Sequence, residues 1–244
     1  MQEEIKEFNP LGYKPVGKLL KSLAIPAIIA NLVNALYNVV DQIFIGQRVG
    51  YLGNAATNIA FPITTMCLAI GLTLGIGGAS NFNLELGKGY PEKSKHTAGT
   101  AASTLIIIGI ILCITVRIFL EPLMIGFGAT NKILEYSMEY TGITSYGIPF
   151  LLFSIGVNPL VRADGNAKYS MIAIVIGAIL NTILDPLFMF VYNLGIAGAA
   201  WATVISQIIS ALLLLIYFPR FKSVKFSLND FITQLHYLKS IVSL

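Results

Sequence analysis

Two aspartates lie within long apolar segments of this sequence. Asp41 follows the charge-free run from Ser22 to Val40, and Asp185 interrupts the apolar run that begins after Lys168. A carboxylate inside a lipid bilayer is costly, so a residue of this kind indicates a functional site. Two carboxylates held close together in a low-dielectric environment cannot both stay ionised without a cation. The two residues therefore predict a site that takes up and releases a cation.

Amide and hydroxyl side chains accompany both aspartates. The polar residues of the first apolar segment are Asn31, Asn34, Asn38, Asp41 and Gln42. At about 100° per residue they share one helical face, within an arc of about 100°. Asn181 lies four residues before Asp185 and so on the same face, and Thr203 could supply an oxygen from the sixth segment. Such oxygens suit a proton or a hard cation; the alternative role is hydrogen bonding between helices.

Other chemistry is not indicated by the remaining residues. Cys67 and Cys113 are isolated in apolar runs, and no cluster of His, Cys and carboxylate residues has the spacing of a metal site. The sequence contains no G-x-x-x-x-G-K-[ST] phosphate loop and no Ser/His/Asp arrangement. We therefore expect neither an enzyme nor a bound cofactor, and only a coupling ion at the cation site.

The composition indicates a membrane protein. Of the 244 residues, 55% are hydrophobic and only 11% are charged, whereas soluble domains carry about 25% charged residues. This excludes an ordinary soluble enzyme, a disordered chain and a nucleic-acid binder. The net charge of +4 comes from basic residues between long apolar runs, so the expected partner is the lipid bilayer and not a nucleic acid.

Six segments are long and apolar enough to cross a bilayer, whose core of ~30 Å needs about 20 residues per helix. Their predicted ranges are about 18–45, 55–84, 96–118, 137–160, 168–190 and 197–218. The predicted fold class is an all-α membrane protein whose six transmembrane helices form one lobe within residues 1–218. Turns are predicted at Tyr51–Asn54 and at Tyr192–Gly195. Pro26 should bend the first helix because it removes a backbone hydrogen bond.

The basic residues predict the orientation of the lobe. All but three of the 16 Lys and Arg residues fall on one side of the predicted membrane, the exceptions being Arg48, Arg117 and Lys132. Positive residues stay on the cytoplasmic side. Both ends of the chain are therefore predicted to be cytoplasmic, with the lobe in the cytoplasmic membrane.

The last residues resemble the start of the first helix. Residues 219–237 are polar and predict a linker, after which Leu238-Lys239-Ser240 repeats the Leu20-Lys21-Ser22 of the first helix. Residues 238–244 are therefore predicted to be the start of a truncated seventh helix. This indicates the first half of a transporter with two parallel repeats; the alternative is an ordinary C-terminal tail.

Four sequence motifs together resemble the multidrug and toxic compound extrusion (MATE) transporters, in particular the MepA-like bacterial branch. The motifs are NVVDQIFIG at 38–46, NPLVRADGNA at 158–167, NTILDPLF at 181–188 and GIAGAAWAT at 195–203. The resemblance implies that this chain is the N-terminal half of a twelve-helix protein and that a C-terminal lobe is missing. It also implies secondary active efflux, in which entry of H⁺ or Na⁺ drives export of amphipathic, often cationic, drugs.

The same resemblance assigns roles to particular residues. The implied cation site comprises Asp41, Asn181, Asp185 and Thr203, with Asn158 in its hydrogen-bond network, and Pro26 matches a bend in the first helix of relatives. One alternative is a flippase of the same superfamily that moves lipid-linked oligosaccharides, which would favour a strongly cationic cavity. Another is a membrane scaffold that transports nothing and would not need either aspartate.

Overall fold

The computed structural model of the protein describes residues 15–243. Within this range the α-helices, labelled in chain order, are α1 Val16–Arg48, α2 Tyr51–Gly87, α3 Pro91–Ile118, α4 Leu120–Gly126, α5 Asn131–Thr144, α6 Ile148–Ala163, α7 Ala167–Pro186, α8 Gly195–Tyr217 and α9 Leu235–Val242. Short 3-10 turns occupy Ser145–Gly147, Phe218–Arg220 and Leu228–Phe231. A π-helical turn, Leu187–Val191, follows α7. No β-strand occurs in the described residues, which agrees with the all-α prediction.

Within residues 15–243, six helical segments are long and apolar enough to span a membrane. They are Val16–Arg48, Tyr51–Gly87, Pro91–Ile118, Asn131–Ala163, Ala167–Val191 and Gly195–Arg220. The prediction of six transmembrane helices is therefore confirmed. Residues 1–14 of the predicted lobe, and residue 244 of the predicted seventh helix, lie outside the described residues.

Several helices begin before their predicted starts, among them α3, at Pro91 instead of at about 96. The predicted turn at Tyr51–Asn54 is wrong, because α2 already begins at Tyr51. The chain instead turns at Gly50, whose φ of 83° is accessible to glycine without strain. The fourth span begins at Asn131, well before its predicted start, because the polar residues of α5 face partly out of the apolar core while the helix continues.

The core of the bundle is built from α2, α3, α6 and α8, which approach one another at small residues. A Cβ added to Gly75 of α2 would lie 2.6 Å from the Cα of Gly156 in α6, and one added to Gly109 of α3 would lie 2.6 Å from the Cα of Pro149. Glycine at these points lets the helix backbones touch. Large apolar side chains point outward instead, as a membrane-embedded surface requires; those on α3 include Ile107, Ile110, Ile111 and Ile114.

The first helix lies at the edge of this bundle. α1 packs chiefly along α7, and only Ala30, Asp41 and Ile45 of its residues are buried. Pro26 lies inside α1, which continues as one helix through it. α1 and α7 both begin at the end of the bundle where Lys18, Lys88, Lys95 and Lys168 cluster near helix termini, which we call the basic end.

The segment after α8 is fixed to the basic end by Asp164, in the turn between α6 and α7. Its carboxylate accepts hydrogen bonds from the Tyr217 hydroxyl at 2.7 Å and from the backbone amides of Lys222 and Ser223, each at 2.9 Å. The linker therefore runs back across the bundle instead of extending away from it.

A second aspartate holds the end of the linker against α3. Asp230 accepts hydrogen bonds from the backbone and hydroxyl of Ser227, and its carboxylate lies 3.2 Å from His96 Nδ1 and 3.7 Å from Lys95 Nζ. The helix that follows, α9, begins three residues earlier than predicted, at Leu235. Asn81 of α2 donates to the Ser240 carbonyl at 2.8 Å and so ties α9 to the bundle.

Candidate functional site

The parallel packing of α1 and α7 brings the two membrane aspartates together. Asp41 is 7% exposed and Asp185 is 0% exposed. Their carboxyl groups are close enough to form a side-chain hydrogen bond with each other. Such a bond needs a proton on one of them, because ionised carboxylates only accept. We call Asp41 and Asp185 the acidic pair.

Amide and hydroxyl groups surround the acidic pair. The Asn181 amide donates to Asp185 Oδ1 at 3.3 Å and also lies 3.5 Å from the Thr203 hydroxyl on α8. On the other side, the Gln42 amide donates to Asp41 Oδ2 at 3.4 Å, and Thr57 of α2 donates to Gln42 Oε1 at 3.1 Å. Helices α1, α2, α7 and α8 therefore all contribute to one polar cluster.

Three buried oxygens of this cluster have no hydrogen-bond donor among the described residues. They are Asp41 Oδ1, Asn181 Oδ1 and Asp185 Oδ2. An unpaired polar atom in an apolar interior costs free energy, and a charged one costs more. A proton shared between the carboxyl groups, or a cation among these oxygens, would remove that cost. The arrangement is thus chemically suited to binding H⁺ or a small hard cation.

Two tyrosines near the acidic pair were not predicted from the sequence as site residues. Tyr37 and Tyr140 both interact electrostatically with Asp41 and Asp185, and the Tyr140 hydroxyl lies near the Thr203 side chain. Tyr37 could have been found, because it lies four residues before Asp41 and so on the same helical face. Tyr140 lies on α5, which the sequence gives no reason to place beside α1.

Asn158 lies outside the cluster, contrary to the expectation. Its amide donates to the Ser170 carbonyl at 3.1 Å, and the Ser170 hydroxyl donates to its side-chain oxygen at 2.6 Å. Ser170 precedes Asn181 on α7 by 11 residues, or about 16 Å along the helix axis. Asn158 therefore joins α6 to the start of α7, and does not contact the acidic pair.

The polar residues that share one face of α1 lie in two different environments. Asp41 turns inward, whereas Asn31, Asn34 and Asn38 are exposed on the surface of the described bundle. Nearer the end of α1, an open groove of about 560 Å³ lies between α1 and α2. Its lining residues are Asn38, Val39, Gln42, Ile43, Gly46, Gln47 and Asn54. Gln42 contributes to both the groove and the acidic cluster, so the two regions are adjacent.

Comparisons with known proteins agree with the resemblance expected from the sequence. A family model described as MatE matches residues 26–187. The multidrug export protein MepA of Staphylococcus haemolyticus is 28% identical over 84% of this chain and 45% of its own length. The chain thus spans about half the length of the curated relatives it matches.

Solved structures show the same relationship. One, the outward-facing conformation of a multidrug resistance MATE family transporter, is 29% identical with a TM-score of 0.84 over 93% of this chain and 51% of that chain. Another, a MATE protein in the bent conformation, is 27% identical with a TM-score of 0.86 over 99% of this chain and 52% of that chain. The six-helix arrangement is therefore that of one half of each of these proteins.

Proposed function

The chain belongs to the MatE family, and we propose that it forms the N-terminal lobe of a multidrug antiporter of the cytoplasmic membrane driven by H⁺ or Na⁺. Relatives of this chain are named multidrug export proteins. In this proposal both ends of the chain are cytoplasmic, so the basic end faces the cytoplasm and Arg48 faces outside. A second lobe would complete the transporter.

The observation that carries the proposal is the acidic pair. Two buried carboxyl groups contact each other on neighbouring helices, and each retains an oxygen without a donor. Hydrogen bonding between helices would need no ionisable group, and amides would do it at lower cost. A site that must both bind and release a cation needs groups whose charge changes.

Coupling would follow from the different affinities of two conformations. An antiporter requires that the cation and the drug prefer different states, so that binding of one favours release of the other. The weakly buried α1 is the element best able to respond, because it carries Asp41 on one side and borders the groove on another. The bend expected at Pro26 would give α1 a second conformation.

The groove supports export of neutral or cationic amphipathic compounds. Its lining combines amide side chains with Val39 and Ile43, and it contains no Lys or Arg. A flippase for lipid-linked oligosaccharides would favour a cationic surface to bind phosphate groups, so this second candidate is less well supported. The exposed face of α1 would be covered by the second lobe, which would supply the other wall of the drug cavity.

The test is substitution of Asp41. Asp41→Asn keeps the side-chain shape but removes the ionisable group, so gradient-driven efflux of a fluorescent cationic dye should fall by at least about tenfold, while dye binding weakens only modestly. The complete transporter that contains this lobe is expressed in cells with an imposed proton or sodium gradient. Glu121→Gln changes an exposed carboxyl at the same end of the bundle as Arg48 but outside the polar cluster; it is the matched control and should retain wild-type efflux.

A direct measurement of the site needs only this chain. The chain contains four aspartates, so carbon-13 NMR of protein labelled at the aspartate side-chain carboxyl carbon observes the acidic pair directly. In lipid nanodiscs, changes of pH or Na⁺ should shift the carboxyl signals of the pair in the wild type and in Glu121→Gln, whereas in Asp41→Asn the signal of Asp185 should titrate in a single step and no longer respond to Na⁺. Wild-type efflux and a wild-type response of the Asp185 signal in Asp41→Asn would contradict the proposal and favour a scaffold.

A further inference from the structure

The contacts of α1 are concentrated at the end that lies opposite the basic end. Ile45 is fully buried there in a small cluster with Met189 and Ala199, separate from the main core, and Phe44 packs edge to face on Phe190 at 6.2 Å between ring centroids. Between Ala30 and Asp41 no residue of α1 is buried. The attachment at this end therefore has a large influence on where the rest of the helix lies.

Arg48, the last residue of α1, adds a polar attachment at the same place. Its Nε donates to the carbonyl of Met189 at 3.1 Å, and its second guanidinium nitrogen donates to Asn193 Oδ1 at 2.7 Å. The fixed fork of a guanidinium binds two acceptors with a defined orientation. Arg48 thus restrains both the position and the rotation of the end of α1.

The acceptors of Arg48 belong to the segment that directly follows Asp185. Met189 lies in the π-helical turn, where carbonyls at the end of a helix lack their usual amide partners. Asn193 has a φ of 57°, a left-handed conformation that asparagine adopts more readily than most residues. On α8, Gly198 lets the backbone approach this turn, since an added Cβ would lie 2.9 Å from the Met189 nitrogen. The turn is therefore held firmly between α1 and α8.

The Arg48 contact and the acidic pair are two neighbouring contacts of one helix interface. Arg48 follows Asp41 by seven residues, and Met189 follows Asp185 by four. Both helices run in the same direction, so a shift of the end of α1 along or around α7 would move Asp41 relative to Asp185 by a similar amount. Apolar contacts alone would resist such a shift less specifically than a two-acceptor hydrogen bond.

We propose that Arg48 is a positioning residue of the cation site: by fixing the end of α1 to the π-helical turn, it holds Asp41 against Asp185. This inference rests on the proposed function of the acidic pair. In this view the end of α1 at Arg48 is fixed. The half of α1 nearer the basic end, which contains Pro26, moves relative to it.

The test follows the titration of the acidic pair through the carbon-13 NMR signals of the aspartate carboxyl carbons, using this 244-residue chain in lipid nanodiscs. The groups that face the pair are Tyr37 on α1, Tyr140 on α5 and the amide of Asn181 on α7. Two carboxyls in contact should titrate in two steps separated by more than about one pH unit. Arg48→Met should bring the two steps together into one, because Asp41 then moves away from Asp185.

Asn193→Gly tests the same contact from the other side. Glycine removes the acceptor and tolerates the positive φ, so the turn keeps its backbone conformation. It should also bring the steps together, and the double variant with Arg48→Met should add nothing further, because both changes break one contact. Should Arg48→Met fail to fold, Asn193→Gly decides the question alone. Two well-separated steps in Asn193→Gly would overturn the proposal.

Lys132→Met is the matched control for charge. Lys132 is exposed at the same end of the bundle, so its replacement removes one positive charge without touching α1. The two steps should stay apart in this variant; if they merge, Arg48 acts through its charge and the positioning role is wrong. If Asp41→Asn removes one step but Arg48→Met does not merge them, the Arg48 inference alone fails. If Asp41→Asn leaves both steps in place, the cation site itself fails.

Discussion

All four aspartates of this chain are buried, but they fall into two groups with opposite hydrogen bonding. The acidic pair lies between transmembrane helices and retains an unpartnered oxygen on each carboxyl group. Asp164 and Asp230, which we call the anchor aspartates, lie at the basic end and accept hydrogen bonds from backbone amides and from side chains. A carboxylate that is fully hydrogen-bonded stabilises one structure, whereas a carboxylate left short of donors can exchange a proton or cation.

The largest expected difference concerns folding stability at Asp164. Asp164→Ala removes the acceptor of the Tyr217 hydroxyl and of two backbone amides, and should lower the free energy of unfolding by roughly 3 kcal/mol, since buried donors are left unpaired. Denaturant titration followed by circular dichroism measures the change. Asp164→Asn, which keeps an acceptor oxygen, should lose less, and Glu121→Ala should be neutral. A neutral Asp164→Ala would remove the distinction between the two groups.

The acidic pair should show the reverse behaviour. Asp185→Asn leaves the free energy of unfolding unchanged or raises it by up to about 1 kcal/mol, because the new amide can donate to the unpartnered oxygen of Asp41. The cation response of the Asp41 carboxyl signal in the carbon-13 NMR spectrum should nevertheless disappear. Asn181→Asp, which adds a third carboxyl to the cluster, should destabilise instead. Loss of stability in Asp185→Asn comparable to that of Asp164→Ala would show that the pair is structural.

The sequence predicts the helices of this fold well because long apolar runs have few alternatives in a bilayer. It fails where a helix extends into polar residues. The first turns of α5 from Asn131 onward are amphipathic and read as a loop, and α2 begins at Tyr51 because Gly50 alone makes the turn. In both places the local composition is polar while the backbone is helical.

The site was predictable to the extent that it depends on one helix at a time. Asp41 and Asp185 stand out by their apolar surroundings, and Asn181 follows from helical spacing. Tyr140 and Arg48 could not be predicted in this way, because their contacts depend on how α5 packs against α2 and α8 and how the π-helical turn lies against α1. The anchor aspartates lie in polar stretches, so only the path of the linker shows that they are buried.

The smallest expected effect is a pH dependence of linker docking at Asp230. Burial alone would raise the pKa of Asp230, but hydrogen bonds from Ser227 and the charges of Lys95 and His96 outweigh it and lower the pKa below its ordinary 3.8. The folded state therefore favours the carboxylate.

The contribution of Asp230 to docking is thus fully present above the ordinary carboxyl pKa and is lost as the pH falls through the lowered value. A spin label at Leu228, which is exposed, should gain mobility as the solution is acidified below about pH 4. Asp230→Asn should abolish this step, while Glu92→Gln, which changes the exposed carboxylate paired with Lys95, should keep it. The same acid step in Asp230→Asn would show that another group controls docking, and Asp230 would then be an anchor by its hydrogen bonds to Ser227 alone.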